Sequence, residues 1–168
     1  MWTFRGQHRP DFAVEPKPGQ ESVWDYPRPP RCEPFEGLVT VTSPLGEVAR
    51  PQGALRIMET ASPPTFYLPP DDINFDLLQK CTGTSYCEWK GPAQYWGLTS
   101  GGPEIGWSYR KFSSRYHEVE GYLAFYPGRI HCEVDGEKVQ PQPGGFYGGW
   151  VLSNLVGPWK GEPGTGHW

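Results

Sequence analysis

The amino-acid sequence lacks the features that mark membrane-spanning, secreted and nucleic-acid-binding proteins. It has no apolar run near the roughly 18 residues that a membrane-spanning helix requires, and its first residues lack the apolar core of a secretory signal. Its 15 Lys and Arg residues are outnumbered by 19 Asp and Glu residues and form no basic block, whereas nucleic-acid-binding proteins usually present a basic face. We therefore expect no membrane span and no nucleic-acid partner.

Cysteine is also scarce, and its spacing matches neither a disulfide scaffold nor a zinc site. Small disulfide-stabilised domains are rich in cysteine, but this chain has four. Structural zinc sites use closely spaced pairs of ligands, whereas five residues separate Cys81 from Cys87 and His131 directly precedes Cys132. We expect free thiols, a cytoplasmic location and no bound metal.

The common motifs of phosphate binding and nucleophilic catalysis are missing as well. The glycine-rich stretch 144–149 is not followed by the Gly-Lys-Ser/Thr of a phosphate-binding loop. No Gly-x-Ser-x-Gly elbow for a nucleophilic serine occurs in the chain. The sequence therefore assigns no cofactor and no reaction, and it leaves the oligomeric state open.

The abundant residue types indicate a compact, turn-rich β protein. The 22 Gly and 20 Pro residues would be typical of a disordered chain. However, 15% of the residues are aromatic, which is far more than disordered segments carry. A chain of this length can bury roughly 70% of its unfolded surface, so we predict a mainly β fold rather than a helix bundle.

Short β-branched or alternating segments separated by turn residues predict antiparallel strands. The predicted strands are 38–42, 54–60, 65–68, 93–99, 104–109, 122–126 and 129–134. The last two flank Pro127 and Gly128, which predict a turn, and Asp135-Gly136 begins another. Residues 71–78 fit one short helical segment with an Asp cap.

An irregular N-terminal extension, residues 1–36, precedes the predicted β domain at residues 37–139. The extension is rich in proline, which favours polyproline II conformation. One interpretation is an arm that lies across the domain and is held by Trp24, Tyr26 and Phe35. The other is a ligand for a protein partner that reads polyproline II segments.

A second extension, residues 140–168, combines frequent glycine with widely spaced aromatic residues. Trp150, Trp159 and Trp168 lie in this tail, and their apolar surface is costly to expose to water. We therefore expect the tail to pack on the domain without long regular elements.

Glu59 is a candidate catalytic residue because of its position in the 54–60 strand. Strand alternation places Glu59 on the same side as Leu55 and Ile57, towards the core. A carboxylate there needs a partner or a raised pKa, which is how active-site acids and bases are produced. The structural alternative is a buried glutamate that pairs with an arginine or caps a Pro-Pro turn.

A group of aromatic residues surrounds one cation in the second half of the chain. Lys90 is followed by Tyr95, Trp96, Trp107 and Tyr109. Aromatic side chains with a few polar groups line most small-ligand pockets. They also fill ordinary β-sandwich cores, so both interpretations stay open.

Several segments together resemble one protein family. These segments are Ala54–Asp72, Thr84–Cys87, Lys90–Gly91, Tyr95–Trp96, Trp107–Tyr109 and Gly121–Tyr126. Their joint pattern resembles domain-of-unknown-function family 427 over residues 37–139, and 148–166 resembles the extension of its cyanobacterial and plant members. The resemblance implies a small antiparallel fold similar to the β-tent group, with two sheets meeting over a cleft.

The family has also been catalogued as a nucleotidyltransferase family, which is a further functional alternative. That chemistry needs paired carboxylates that hold Mg²⁺, commonly after a Gly-Ser turn. The close carboxylate pairs considered for this role are Asp71-Asp72 and Glu133-x-Asp135. Neither pair follows a Gly-Ser, and Asp71-Asp72 fits the start of a helical turn.

These observations predict a β domain that binds a small molecule in an aromatic and charged cleft. A stronger form of this prediction is that the same domain is an enzyme, whose reaction cannot be assigned from the residues. Glu59 would accept or donate a proton, Arg56 or Lys90 would hold an anionic group, and the aromatic rings would stack on an uncharged part. The predicted ligand-binding residues are Arg56, Tyr67, Lys90, Tyr95, Trp96, Trp107 and Tyr109. The alternative from another class is an interaction module that binds a protein partner through the arm and the tail.

Overall fold

Short strands supply most of the regular structure in the computed structural model, which describes residues 2–87, 89–110 and 114–168. Within those residues the strands are β1 (Glu21–Ser22), β2 (Arg31–Phe35), β3 (Val39–Ser43), β4 (Gly46–Ala49), β5 (Ala54–Met58), β6 (Thr65–Tyr67), β7 (Leu78–Cys87), β8 (Gly91–Leu98), β9 (Gly106–Tyr109), β10 (Leu123–Phe125), β11 (His131–Val134), β12 (Glu137–Lys138), β13 (Gln140–Pro141), β14 (Trp150–Val151) and β15 (Leu155–Val156). The 3₁₀ turns are Val23–Asp25, Pro70–Asp72, Phe75–Leu77 and Ser114–Val119. In this described part, no helix has the length and apolar character needed to cross a bilayer.

Three antiparallel sheets form the body of the described chain. The first has the order β10-β9-β8-β7, the second β12-β11-β3-β4 and the third β2-β5-β6. Two-residue pairings join β13 to β14 antiparallel and β1 to β15 parallel. The prediction of a mainly β fold built from antiparallel sheets is confirmed.

Alternation along β6 divides the apolar interior into two clusters. Phe66 contributes to the larger cluster, together with Val41 of β3 and Trp150 of the tail. Tyr67 points the other way and joins Trp107 of β9 in the second cluster. Because successive strand residues point to opposite faces, this three-residue strand supplies both cores. The second cluster forms the base of the cleft described below.

The arm and the tail meet in a third apolar cluster. Trp24 and Tyr26 of the arm are buried there against Met58 of β5. Trp159 and Trp168 of the tail pack against the same group. The arm and the tail therefore pack against the same apolar cluster.

The turn predicted at Pro127-Gly128 forms, and it joins two strands that do not pair with each other. The Arg129 and Ile130 backbone N–H groups donate to the Tyr126 carbonyl at 2.9 and 3.1 Å. However, β10 pairs with β9, whereas β11 pairs with β3 and β12. The turn is thus a corner that leads the chain from the first sheet into the second.

The second predicted turn does form a hairpin. Asp135 and Gly136 have φ angles of 48° and 83°, and they join β11 to β12. Positive φ at both central residues is the type I′ geometry, whose twist matches that of the flanking strands. Asp135 also accepts a hydrogen bond from the Leu38 N–H at 2.8 Å, which fixes the turn against the start of β3.

Several strands and one cap differ from the sequence expectations, and β7 and β2 are the longest of these strands. Strand β7 was not predicted, since most of its side chains are exposed and show no apolar alternation. Strand β2 was assigned to the irregular arm because it contains Pro34, but prolines are tolerated on edge strands, and β2 is an edge strand. The second of the two 3₁₀ turns at 70–77 is capped by Asn74, which accepts from the Asp76 N–H, whereas the first has no side-chain cap.

Candidate functional site

An open cleft of about 830 Å³ lies where the first and third sheets meet the C-terminal tail. Ligand pockets typically measure roughly 300–1,000 Å³, so the cleft has room for a small organic molecule. Ile57 of β5, Tyr67 of β6 and Trp107 of β9 form its base, and they belong to the second core cluster. The β7–β8 hairpin and tail residues 142–149 contribute its walls.

The base of the cleft holds a hydroxyl group without a hydrogen bond. Tyr67 is 0% exposed, and its hydroxyl has no hydrogen-bond partner among the described residues. The ring centroids of Trp107 and Tyr109 each lie 6.4 Å from that of Tyr67. Burial raises the pKa of Tyr67, whereas the donor groups of Trp107 and Tyr109, which approach the hydroxyl oxygen without reaching hydrogen-bond geometry, act against this increase. The hydroxyl therefore stays protonated and can donate to an acceptor placed in the cleft.

Lys90 contributes a positive charge to the cleft wall beside Tyr109. The Lys90 Nζ lies 5.8 Å from the Tyr109 ring centroid. Burial raises the pKa of Tyr109, Tyr67 adds to the increase, and the charge of Lys90 acts against it. Within the part of the chain that the structure describes, no hydrogen bond or ion pair engages the Lys90 ammonium group. Lys90 is therefore the cleft cation that we consider for holding an anionic group.

Two more cations of the cleft lie over aromatic rings. Arg129 Cζ is 4.2 Å from the Tyr126 ring centroid, and its guanidinium donates to the backbone oxygens of Glu104 and Gly145 at 3.0 and 3.2 Å. Lys160 is 4% exposed, and its Nζ lies 3.9 Å from the Trp2 ring centroid. Arg129 thus connects the tail to the first sheet, and Lys160 binds the start of the arm at one end of the cleft.

Glu59 lines the cleft and is paired with an arginine from the N-terminal arm. Arg28 Nε donates to Glu59 Oε1 at 3.0 Å, and the Arg28 side chain is 2% exposed. The Trp89 indole N–H donates to the same oxygen at 3.4 Å. Arg28 also donates to the Phe4 and Thr60 carbonyls. The described contacts of Glu59 therefore use Oε1, and Oε2 can accept a hydrogen bond or a proton from a ligand.

Two aromatic side chains on the cleft lining are highly exposed. Tyr86 of β7 and Phe146 of the tail are each 77% exposed, although large aromatic side chains are usually buried. They belong to the hairpin wall and the tail wall, respectively. A molecule held between these walls would cover part of their apolar surface.

The structure places six of the eight predicted site residues around this one cleft. These residues are Glu59, Tyr67, Lys90, Tyr95, Trp107 and Tyr109. Arg56 lies on the other face of β5, where it forms ion pairs with Glu21 and Glu33 at 3.2 and 2.5 Å. Trp96 likewise points away from the cleft, and its indole N–H donates to Ser108 at 2.9 Å. Strand alternation explains both placements, because each residue is adjacent in sequence to one that faces the cleft.

Sequence reasoning did not identify several residues of the cleft. Arg28 lies in the Pro-rich arm, 31 residues before Glu59, and Trp2 lies even earlier. Arg129 follows a turn, and Lys160 lies in the glycine-rich tail. No local motif connects these residues to the cleft, since only tertiary packing brings them together.

The carboxylate pairs considered for Mg²⁺ binding lie outside the cleft lining. Asp71 and Asp72 are exposed in the first of the paired 3₁₀ turns. Glu133 lies on β11 and Asp135 in the following turn, where Asp135 lines a separate cavity of about 240 Å³. Among the described residues, no group of three or more His, Cys, Asp or Glu side chains could hold a metal ion.

Comparison with known proteins assigns the chain to a family. A family model described as "Domain of unknown function (DUF427)" matches residues 31–139, a range that begins at β2 and ends just before the tail. No curated protein matches the chain. Because the match covers more than half of its 168 residues, the chain belongs to the DUF427 family.

Proposed function

We propose that the protein binds a small organic molecule in the cleft between the first and third sheets. The observation that carries this proposal is the Tyr67 hydroxyl, which is fully buried, has no partner among the described residues and lines the cleft. Leaving a buried polar group without a hydrogen bond costs about 1–3 kcal/mol. A ligand that accepts from this hydroxyl would recover that cost.

The composition of the cleft supports the same proposal. Its base is aromatic, and a few charged groups from separate elements point into it. This combination is typical of small-molecule sites, where apolar surface provides affinity and a few polar groups fix orientation. The convergence of Glu59, Tyr67 and Lys90 on one concavity favours a ligand site over dispersed scaffold residues.

Glu59 is the candidate proton acceptor or donor if the bound molecule reacts. Its ion pair with the buried Arg28 holds the carboxylate in one orientation, and Glu59 lines the cleft. Oriented carboxylates within hydrogen-bond reach of a ligand can serve as general bases. We propose binding as the function, with Glu59 as the residue that would carry a proton-transfer step.

An interaction module that uses the Pro-rich arm is less well supported. Tyr26 is 2% exposed and Pro30 is also buried, whereas Pro27 is half-buried and Pro29 is exposed, so the central Pro-rich segment is partly packed into the fold. A polyproline II ligand must offer its side chains to a partner's aromatic groove. This packing favours the small-molecule proposal.

Ligand capture followed by mass spectrometry tests the proposal. The full chain is incubated with a small-molecule extract of the cells that produce it, repurified and analysed by native mass spectrometry. Thr84→Trp places a large side chain in the cleft wall, whereas Thr82→Trp changes an exposed residue of the same strand outside the cleft lining. We expect a bound small molecule in the wild type and in Thr82→Trp, and its loss in Thr84→Trp.

Two results would contradict the proposal. One is a wild-type protein that captures no small molecule from the extract. The other is equal capture by Thr84→Trp and the wild type, which would place the bound molecule elsewhere.

A further inference from the structure

The charged groups around the cleft restrict the chemistry of the ligand that the proposed function requires. Among the described lining residues the cations are Lys90, Arg129 and Lys160, and the carboxylates are Glu59 and Glu104. Both carboxylates already have an arginine nearby: Glu59 is 3.0 Å from Arg28, and Glu104 is 3.9 Å from Arg129. Counting Arg28, this region carries an excess of positive charge in a chain whose net charge is −4.

Protein cations already cover aromatic faces that a cationic ligand would use. Lys90 lies over Tyr109, Arg129 over Tyr126 and Lys160 over Trp2. A cationic ligand gains from an aromatic face only when it can approach that face, and here it would meet a like charge. The cleft is therefore unfavourable for a cation and favourable for an anion.

The predicted anion-binding arginine is not available, but the predicted lysine is. The Arg56 guanidinium is held by Glu21 and Glu33 on the opposite face of β5. Lys90 has no ion pair within the described residues and lies next to Tyr109, which packs against Tyr67. A charged donor and a buried neutral hydroxyl donor thus border the same part of the cleft. An anion is the acceptor that gains most from both, because hydrogen bonds to charged groups are stronger than neutral ones.

The remaining surface of the cleft fits a flat, apolar group. Trp107 and Tyr126 are in contact, with ring centroids 4.6 Å apart and ring planes tilted by 46°, and Tyr95 lines the same cleft. Tyr86 and Phe146 add two exposed rings to the aromatic lining of the cleft. Aromatic rings prefer stacked or edge contacts with other rings.

We propose, on the basis of the proposed function, that the ligand is a planar organic anion. Lys90 and the Tyr67 hydroxyl bind its anionic group, and the aromatic side chains of the cleft contact its ring system. Arg129 and Lys160 add longer-range attraction, which salt weakens at separations beyond the screening length.

A matched set of three probes tests this proposal by isothermal titration calorimetry with the full chain. Naphthalene-2-carboxylate, naphthalene-2-carboxamide and 2-naphthylmethylammonium share one ring system and differ in the charge of the attached group. We expect the carboxylate to bind about tenfold more tightly than the carboxamide, equivalent to about 1.4 kcal/mol, and the ammonium compound to bind least. Raising the salt concentration should weaken only the carboxylate.

Variants of two lysines and of Tyr67 locate the binding site. Lys90→Gln should remove the advantage of the carboxylate over the carboxamide, whereas Lys90→Arg should retain it. Lys138→Gln changes an exposed lysine outside the cleft lining and should leave all three affinities unchanged. Tyr67→Phe should weaken binding of the carboxylate while the chain stays folded, with a thermal midpoint no lower than that of the wild type.

The outcomes separate this inference from the proposed function. Equal binding of all three probes would overturn the anionic ligand and leave small-molecule binding intact. Tighter binding of the ammonium probe, or carboxylate binding that Lys90→Gln does not weaken, would also overturn the inference. If none of the probes binds, the planar anion is wrong, and ligand capture by the wild type but not by Thr84→Trp would still support a small-molecule site.

Discussion

Tyr67 and Tyr116 are both buried tyrosines, but they differ in whether the hydroxyl has a partner. The Tyr116 hydroxyl donates to the Pro30 carbonyl at 2.8 Å, and Tyr116 is 2% exposed. The Tyr67 hydroxyl has no partner among the described residues. A buried hydroxyl without a hydrogen bond is a thermodynamic cost to the ligand-free protein.

Replacing each of these tyrosines with phenylalanine should therefore have opposite effects on stability. We expect Tyr67→Phe to stabilise the ligand-free protein by about 1 kcal/mol, because it removes an unsatisfied buried hydroxyl. Tyr116→Phe should destabilise it by a similar amount, because the Pro30 carbonyl loses its donor. Urea unfolding of both variants measures the free energies. A Tyr67→Phe variant that is clearly less stable than the wild type would show that the hydroxyl is already satisfied.

At the same scale, the sequence could identify Glu59 but not its partner. Alternation along 54–60 places Glu59 on the side of Leu55 and Ile57, and the structure has all three on the side of the second core cluster. The same alternation also places Arg56 on the opposite face. Arg28 could not be connected to Glu59, because ion pairs between distant segments leave no local pattern in a sequence.

The tail residue Gly148 forms one wall of the cleft at very close range. A Cβ atom at this position would lie 2.7 Å from Trp107 Cζ3 and closer still to Cη2. In contrast, a Cβ atom at Gly166 in the same tail would have no atom within 4 Å. The absence of a side chain at position 148 thus allows the tail backbone to pack directly on the indole ring of Trp107.

Adding one methyl group at these two positions should separate packing from general effects on the tail. We expect Gly148→Ala to lower the thermal midpoint by several degrees, since overpacking costs about 1–3 kcal/mol and each kcal/mol corresponds to roughly 2–4 °C at this size. It should also change the tryptophan fluorescence spectrum. Gly166→Ala should leave both measurements unchanged, and equal behaviour of the two variants would contradict this placement of the tail.

At the scale of elements, sequence patterns predicted strands better than their pairing. Strands β3, β5 and β8 were located because half-buried strands have recognisable apolar residues. Strand β7 is largely exposed and therefore carries no such pattern. Turn residues at 127–128 predicted a change of direction, but they contain no information on which neighbour a strand pairs with. Pairing depends on the packing of the whole core, and so β10 and β11 enter different sheets.

At the scale of the whole molecule, the buried tyrosines link stability to alkaline pH. Burial raises the pKa of Tyr26, Tyr67 and Tyr109 above the usual value of 10. Burial, reinforced by Tyr95, raises the pKa of Tyr126 to about 12. The unfolded chain would ionise these groups near their usual pKa, whereas the folded chain keeps them neutral.

Stability contributed by these tyrosines should be complete below about pH 10 and should decrease above it. The sign follows because the unfolded state loses protons first, so each further increase in pH favours unfolding. We expect the thermal midpoint to fall above about pH 10 and the tyrosinate absorbance to rise together with unfolding. Gradual tyrosinate formation in a chain that stays folded would contradict the burial of these rings.

The C-terminal tail connects the core, the arm and the cleft, so its removal should affect the whole molecule. Trp150 stacks on Phe66 with ring centroids 4.8 Å apart, and its indole N–H donates to the Phe125 carbonyl at 2.9 Å. The Lys160 backbone N–H donates to the Ala61 carbonyl at 2.7 Å.

Truncation after Val139 should uncover Phe66 and Trp107, and contiguous exposed apolar surface promotes association. We expect a lower thermal midpoint, oligomers in size-exclusion chromatography and loss of ligand capture. A truncated chain that stays monomeric and equally stable would show that the tail is an appendage, and it would favour partner binding as the role of residues 140–168.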